Sequence, residues 1–254
     1  MPASAPTILA TSMGFAGRGR GPYDWRPGPV FDLAFELAGA PERPKLCYLG
    51  TATGDDPVRV AGVYGAFADS AVRVSHLSLF TMPTVPDMRA HLLARDVVWV
   101  GGGSVANLLA VWRVHGLDEV FREVWEAGVV LAGVSAGSLC WHVGGTTDSY
   151  GPTLRLLHDG LGMIKGSYCP HYDAEDQRRP LFHAALLDGS LQLGYASWNR
   201  VAIRFTAGGE LVEAVTSEPG GRALRVYAQD GRVVEEDIPC RLLEERSPSR
   251  SVSA

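Results

Sequence analysis

The strongest chemical signal in the chain is a serine set among small residues where an apolar run ends. Residues 129–141 read Val-Val-Leu-Ala-Gly-Val-Ser-Ala-Gly-Ser-Leu-Cys-Trp, a strand-like stretch, then Gly133-Val134-Ser135-Ala136-Gly137, then the start of a helical pattern. A serine at such a strand-to-helix turn is forced into a strained backbone conformation that needs small neighbours, and its hydroxyl is held out above the sheet as a nucleophile. The amide of Ala136, at the opening of the helix, could then bind a developing oxyanion. A glycine-flanked serine in a structural turn would leave the same sequence.

A second glycine loop follows another apolar run, Val97-Val98-Trp99-Val100-Gly101-Gly102-Gly103-Ser104, with a helix expected from about Val105 to His115. Glycines allow close backbone approach to a ligand, so the amide of Gly102 or Gly103 could supply the second oxyanion donor beside Ala136. The loop lacks the GxGxxG spacing of a dinucleotide site and the terminal Gly-Lys-Ser/Thr of a P-loop. A serine nucleophile also needs a base. Of the seven histidines, His91, His115 and His183 fall in helical patterns, His76 in a strand, and His142 follows Ser135 on what reads as its own helix. His171, in Tyr168-Cys169-Pro170-His171-Tyr172-Asp173, comes after a short β-like stretch and before a polar loop, a setting suited to a cleft. His171 and Asp173 have no further ligands around them to complete a metal site, and serine chemistry requires neither metal nor organic cofactor.

The elements that must position these residues alternate. Apolar β-rich runs at 7–13, 45–50, 72–79, 97–100 and 129–134 are separated by helical patterns at 30–38, 57–68, 86–95 and 117–127. This order argues for an α/β protein with a mostly parallel sheet flanked by helices. At 117–127, Leu117, Val120, Phe121, Val124 and Trp125 fall on one helical face, with Gly128 placed to end it. After residue 195 the texture changes to hairpins: 201–206 with 211–217, and 223–229 with 232–236 across Asp230-Gly231. They read as a C-terminal antiparallel extension, from about residue 201, of a single domain spanning 1–245. A polar tail at 246–254 is expected to be disordered.

Composition bounds the partners. The 254 residues carry 23 Lys+Arg against 28 Asp+Glu, a net charge of −5, so there is little footing for a phosphate backbone and no nucleic acid is expected. No apolar run approaches the roughly 18 residues of a membrane span, and the first ten residues do not resemble a secretory signal. Cys47, Cys140, Cys169 and Cys240 show no zinc spacing. A cytoplasmic protein with reduced thiols fits, and the apolar edges of such a domain leave room for a homodimer.

Four separated motifs resemble the peptidase E family, which groups aspartyl dipeptidases and the related cyanophycinases: Lys45-Leu-Cys-Tyr-Leu-Gly-Thr-Ala-Thr-Gly-Asp55, the Gly101-Gly102-Gly103-Ser104 loop with Leu108, Leu109 and Trp112 after it, Gly-Val-Ser135-Ala-Gly, and Pro170-His171-Tyr-Asp. The resemblance covers about residues 7–206. It implies a fold like class I glutamine amidotransferase domains, flavodoxin-like in its sheet, with Ser135 as nucleophile, His171 as general base, and short peptides as substrates. Where members usually carry an acidic pair, this chain has Trp198 and Asn199. Asn199 could orient His171 without adding charge. Asp148, thirteen residues past Ser135, is an equal candidate because some members hold an acid near that position, and Asp173 and Glu175 stay open. The same exchange of an orienting Asp for Asn lowers turnover about 10⁴-fold in trypsin, so turnover here could be weak.

Aspartyl dipeptidases need a cation for the substrate carboxylate, since burying an unpaired carboxylate is costly. Arg178, Arg179 and Arg200 are the candidates, and Arg18 and Arg20 sit on a glycine-rich loop at the same sheet edge. The expected protein is a serine peptidase acting on dipeptides or short peptides, with an N-terminal Asp preference in view. The rival readings are a hydrolase of another acyl substrate, such as an ester or isopeptide, and a catalytically weak ligand-binding homologue.

Overall fold

The computed structural model describes residues 3, 5–39 and 43–244; the tail expected at 246–254 lies outside them. The first strand, β1 (Ile8–Thr11), leads into a short hairpin, β2 (Phe15–Gly17) and β3 (Trp25–Pro27). There follow α1 (Pro29–Leu37), β4 (Lys45–Leu49), α2 (Pro57–Ala66), β5 (Arg73–His76), α3 (Met88–Leu93), β6 (Val97–Val100), α4 (Val105–Val114), α5 (Leu117–Glu126) and β7 (Val130–Val134). Sequence chemistry accounts for their ends. Asp56 caps α2 through Val58 N at 2.8 Å, Asp87 caps α3 through Ala90 N at 2.8 Å, and Ser104 caps α4 through Asn107 N at 3.2 Å. Gly128, at φ 89°, lets the chain leave α5, as its placement predicts.

Strands β1, β7, β6, β4 and β5 run parallel in that spatial order. Because successive side chains of a strand point to opposite faces, each strand feeds two cores. Ile8, Ala10, Val98, Val100 and Leu131 pack with Leu108, Trp112, Phe121 and Val124 of α4 and α5. Leu9, Val97, Trp99, Val130 and Ala132 pack with Val30, Phe31 and Ala34 of α1 and Val63 of α2. A helix-flanked, largely parallel sheet is therefore present.

The second half differs from the sequence expectation. After a single turn of helix, α6 (Ala136–Leu139), the chain forms β8 (His142–Thr147), β9 (Arg155–Leu157), β10 (Ile164–Cys169), α7 (Arg178–Leu187) and β11 (Gly194–Ser197). The antiparallel run then divides. Strand β12 (Val201–Phe205) extends the large sheet antiparallel to β1, β13 (Leu211–Thr216) pairs antiparallel to β12, and β16 (Cys240–Leu242) lies parallel to β13 at the edge. Strands β14 (Ala223–Gln229) and β15 (Arg232–Ile238) instead join a second, six-stranded sheet in the order β15-β14-β11-β10-β8-β9. Its residues Ile164, Tyr168, Tyr195 and Ala223 share the core of the α4 and α5 face. His142 thus opens a strand rather than continuing the helix of Ser135. The glycines of β8 are the reason it reads poorly as a strand, yet they are required: a Cβ on Gly144 would lie 2.2 Å from Leu157 O, and one on Gly145 1.9 Å from Tyr168 O.

Candidate active site

Ser135 sits between β7 and α6 at φ 57°, ψ −113°, a conformation that L-residues avoid and that only a tightly determined turn sustains. The small neighbours are obligatory. A Cβ on Gly133 would come 2.2 Å from Gly137 O, and one on Gly137 2.2 Å from Val100 O. The turn is pinned from below by Ser138, whose buried hydroxyl accepts Thr11 N–H at 2.6 Å and lies 2.5 Å from Gly133 O and 2.9 Å from Thr11 O. Ser135 N donates to Thr11 O at 3.0 Å.

The second half of the site hangs from the next residue of the same strand end. His171 N donates to Ser12 Oγ at 3.1 Å, Arg200 N donates to Ser12 O at 3.0 Å, and Ser12 N donates to Val201 O at 2.8 Å. Thr11 thus holds the serine turn while Ser12 holds the histidine loop and the Asn199-Arg200 corner, so both segments are tied to the end of β1. His171 (φ 54°) and Arg200 (φ 70°) both take left-handed backbone conformations.

The side chains of His171 and Asn199 meet at 2.6 Å between Nδ1 and Oδ1. An amide oxygen only accepts, so the imidazole proton resides on Nδ1 and the lone pair on Nε2. Asp173 reaches this arrangement one step back, accepting Asn199 N–H at 2.8 Å. Among the described residues no side chain hydrogen-bonds to the Ser135 hydroxyl, which is free to meet a ligand.

Gly102 lies beside the serine: a Cβ there would be 3.3 Å from Ser135 Cβ. Its loop neighbours are occupied, Gly101 N by Leu49 O and Ser104 N by Ala52 O, each at 2.9 Å. The amides of Gly102 and Gly103 have no acceptor among the described residues. Gly103 itself must be glycine, because at φ 140° a Cβ would lie 2.4 Å from Ala52 O. With α6 only four residues long, any oxyanion stabilisation at Ala136 rests on the individual amide rather than on a helix dipole.

Beside these groups opens a cleft of about 520 Å³, with Gly101, Gly102, Val134, Asn199 and Arg200 at the site end and Phe15, Trp25, Tyr48 and Trp99 along its walls. Of the three arginines expected to face substrate, Arg200 lines it, 3.5 Å from Glu218. The other two do not. Arg178 is 2% exposed, its guanidinium bonded to Thr146 O at 3.0 Å and to Glu175. It is a structural cation within the second sheet, because α7 begins against β8. Arg179 forks onto Glu235 and lies over the Tyr172 ring. Arg18 and Arg20 pair with Asp24 on the β2–β3 hairpin. Asp148 is exposed and borders a different cavity with Glu175 and Gln177; the side-chain partner of His171 is Asn199. Sequence reasoning passed over Ser12, Arg26, Tyr48 and Arg59, all cleft residues. For Ser12 the signal was its place at the carboxyl end of the first strand, where α/β sheets build their sites.

Residues 29–211 match the model of peptidase family S51. The chain belongs to this peptidase family. The S51 chain is 41% identical over 202 residues to the "Uncharacterized peptidase YgaJ" of Bacillus subtilis, covering 80% of this chain and 86% of that one. It is 28% identical over 142 residues to "Peptidase E" of Streptomyces coelicolor, covering 52% and 53% of the two. Among solved structures it shares its fold with a putative peptidase E from Listeria monocytogenes (TM-score 0.58, 19% identity, 82% and 98% covered). It also shares it with a peptidase from an acI-B1 actinobacterium (TM-score 0.66, 14% identity, 93% and 95% covered). Membership places the chain among peptidase hydrolases, and no helix among the described residues is long and apolar enough to cross a membrane.

Proposed function

We propose that this S51 chain is a serine peptidase that hydrolyses dipeptides or short peptides, with Ser135 as nucleophile and His171 as base. The observation that carries this reading is the Nδ1–Oδ1 contact between His171 and Asn199, which leaves Nε2 as the basic atom on a loop tied to the same strand end as the Ser135 turn. Ser135 Oγ attacks the scissile carbonyl and passes its proton to Nε2. The tetrahedral oxygen is taken up by the amides of Ala136 and of Gly102 or Gly103. The leaving amine receives the proton from Nε2, and water repeats the sequence on the acyl-enzyme.

Recognition of an acidic residue is the finer part of the proposal. Arg200 supports it, because its guanidinium lines the cleft, half-exposed and 3.5 Å from Glu218. Burial pushes the Cys47 and Cys169 thiols up to about 12, so both stay protonated, and a cytoplasmic setting is part of the proposal. A second reading, a weakly turning-over peptide binder, draws on the neutral Asn199, which cannot stabilise an imidazolium by charge.

The test is hydrolysis of a dipeptide panel, Asp-X beside neutral and basic first residues, by the wild type and Ser135→Ala. Cleavage of Asp-X that Ser135→Ala abolishes is the expected result. Cleavage of other dipeptides alone discards the acidic preference, and tight binding without Ser135-dependent turnover favours the binder.

A further inference from the structure

A row of three buried hydroxyls runs from the second sheet to the cleft. Tyr168 OH lies 2.6 Å from Ser197 Oγ, and Ser197 Oγ lies 2.7 Å from Ser12 Oγ. Tyr168 and Ser197 are fully buried and Ser12 is 5% exposed. Each hydroxyl has one proton, so the row has a direction. Burial pushes the Tyr168 phenol up to about 12, which keeps it protonated. Its hydrogen-bond partner is Ser197 Oγ alone among the described residues. Were Ser12 to donate inward, Ser197 would donate to Tyr168, and the phenol proton would be buried without a partner, at a cost larger than one hydrogen bond is worth. The protons therefore run Tyr168 to Ser197 to Ser12. Ser12 Oγ also accepts His171 N–H at 3.1 Å. Both of its lone pairs are then filled from within the protein, its own proton has no internal acceptor, and Ser12 lines the cleft.

We propose that Ser12 is a substrate-binding residue, donating a hydrogen bond from its hydroxyl to an oxygen of the bound peptide. The inference takes its ligand class, a short peptide, from the proposed function. The partner is an oxygen acceptor, and a carboxylate or the peptide carbonyl would serve equally in chemistry.

The experiment measures binding by calorimetry to Ser135→Ala protein, with and without Ser12→Ala. The ligands are the dipeptide Asp-Leu and three analogues, each lacking one acceptor: Asp-isopentylamide without the terminal carboxylate, the reduced-bond form without the peptide carbonyl, and Ala-Leu without the side-chain carboxylate. Ser12→Ala is expected to weaken Asp-Leu about fivefold, and the loss should vanish for the one analogue that lacks the partner oxygen, which identifies it. Ser12→Cys keeps the size but donates poorly, so it should reproduce the pattern if the alanine variant folds badly. Unchanged affinity, equal losses for all four ligands, or no binding of any of them overturns the inference. Failure of the nucleophile assignment has a different readout, hydrolysis that survives Ser135→Ala.

Discussion

His171 Nδ1 and Asn199 Oδ1 stand 2.6 Å apart, so the imidazole is oriented by a neutral oxygen. The contact fixes the tautomer and the ring plane but lends no charge to the imidazolium of the transition state. Asn199→Ala should therefore lower kcat about 100-fold with little change in KM, the scale of a mispositioned catalytic group. Asn199→Asp should raise kcat above wild type, because a carboxylate in the same place stabilises the imidazolium. Steady-state kinetics on one dipeptide checks both, and a silent Asn199→Ala would remove Asn199 from the mechanism.

Ser138 ties the serine turn to β1 through one buried hydroxyl that meets Thr11 N, Thr11 O and Gly133 O. Ser138→Ala strands the buried Thr11 N–H and should cost about 1–3 kcal/mol in urea unfolding. The same variant should lose turnover, since the turn it braces holds Ser135 at a strained backbone angle.

Two glycines of the site should respond in opposite ways. At Gly137 an added Cβ meets a carbonyl of β6 at 2.2 Å, with no side chain able to yield, so Gly137→Ala should fail to fold. At Gly102 the nearest atoms stand at 3.2 and 3.3 Å. Gly102→Ala should keep its circular dichroism and melting transition while losing activity, because the methyl crowds Ser135.

His142 is fully buried, stacked on Tyr168, and burial lowers its pKa from 6.5 to about 3. The folded state stays neutral while the unfolded chain takes up a proton below pH 6.5. Stability is thus present above that pH and is lost as pH falls toward 3, by about 1.4 kcal/mol per unit from this group. Urea midpoints between pH 7 and 4.5 should fall less steeply for His142→Phe than for wild type.

The arginines separate by role. Arg178→Met removes the buried donor to Thr146 O and should cost about 1–3 kcal/mol of stability. Arg200→Gln should leave stability within about 0.5 kcal/mol and raise KM for acidic dipeptides, because Arg200 borders the cleft.

Much of the first half is legible in the sequence. The inner parallel strands β1, β4, β6 and β7 are buried on both faces and read as apolar runs, while caps such as Asp56 and Ser104 mark helix starts. The Ser135 turn could be seen because its glycines sit where a strand ends. The second sheet could not. Its strands β8 and β10 carry glycines that permit close backbone approach, which breaks the apolar pattern, and β9 is three residues long. The partner of His171 could not be chosen either, because Asn199 and Asp148 are distant in sequence and only the pairing of β10 with β11 sets Asn199 beside the imidazole. Arg178 read as a candidate for the substrate carboxylate because the sheet that buries it was not visible.

The central claim is that Ser135 is an activated nucleophile. The most direct measurement is reaction of the intact protein with a fluorophosphonate, with the adduct mapped by peptide mass spectrometry. The account predicts one adduct, on Ser135, absent from Ser135→Ala and slowed at least tenfold in His171→Ala. No adduct on the folded wild type, or an adduct on another residue that persists in Ser135→Ala, would contradict it.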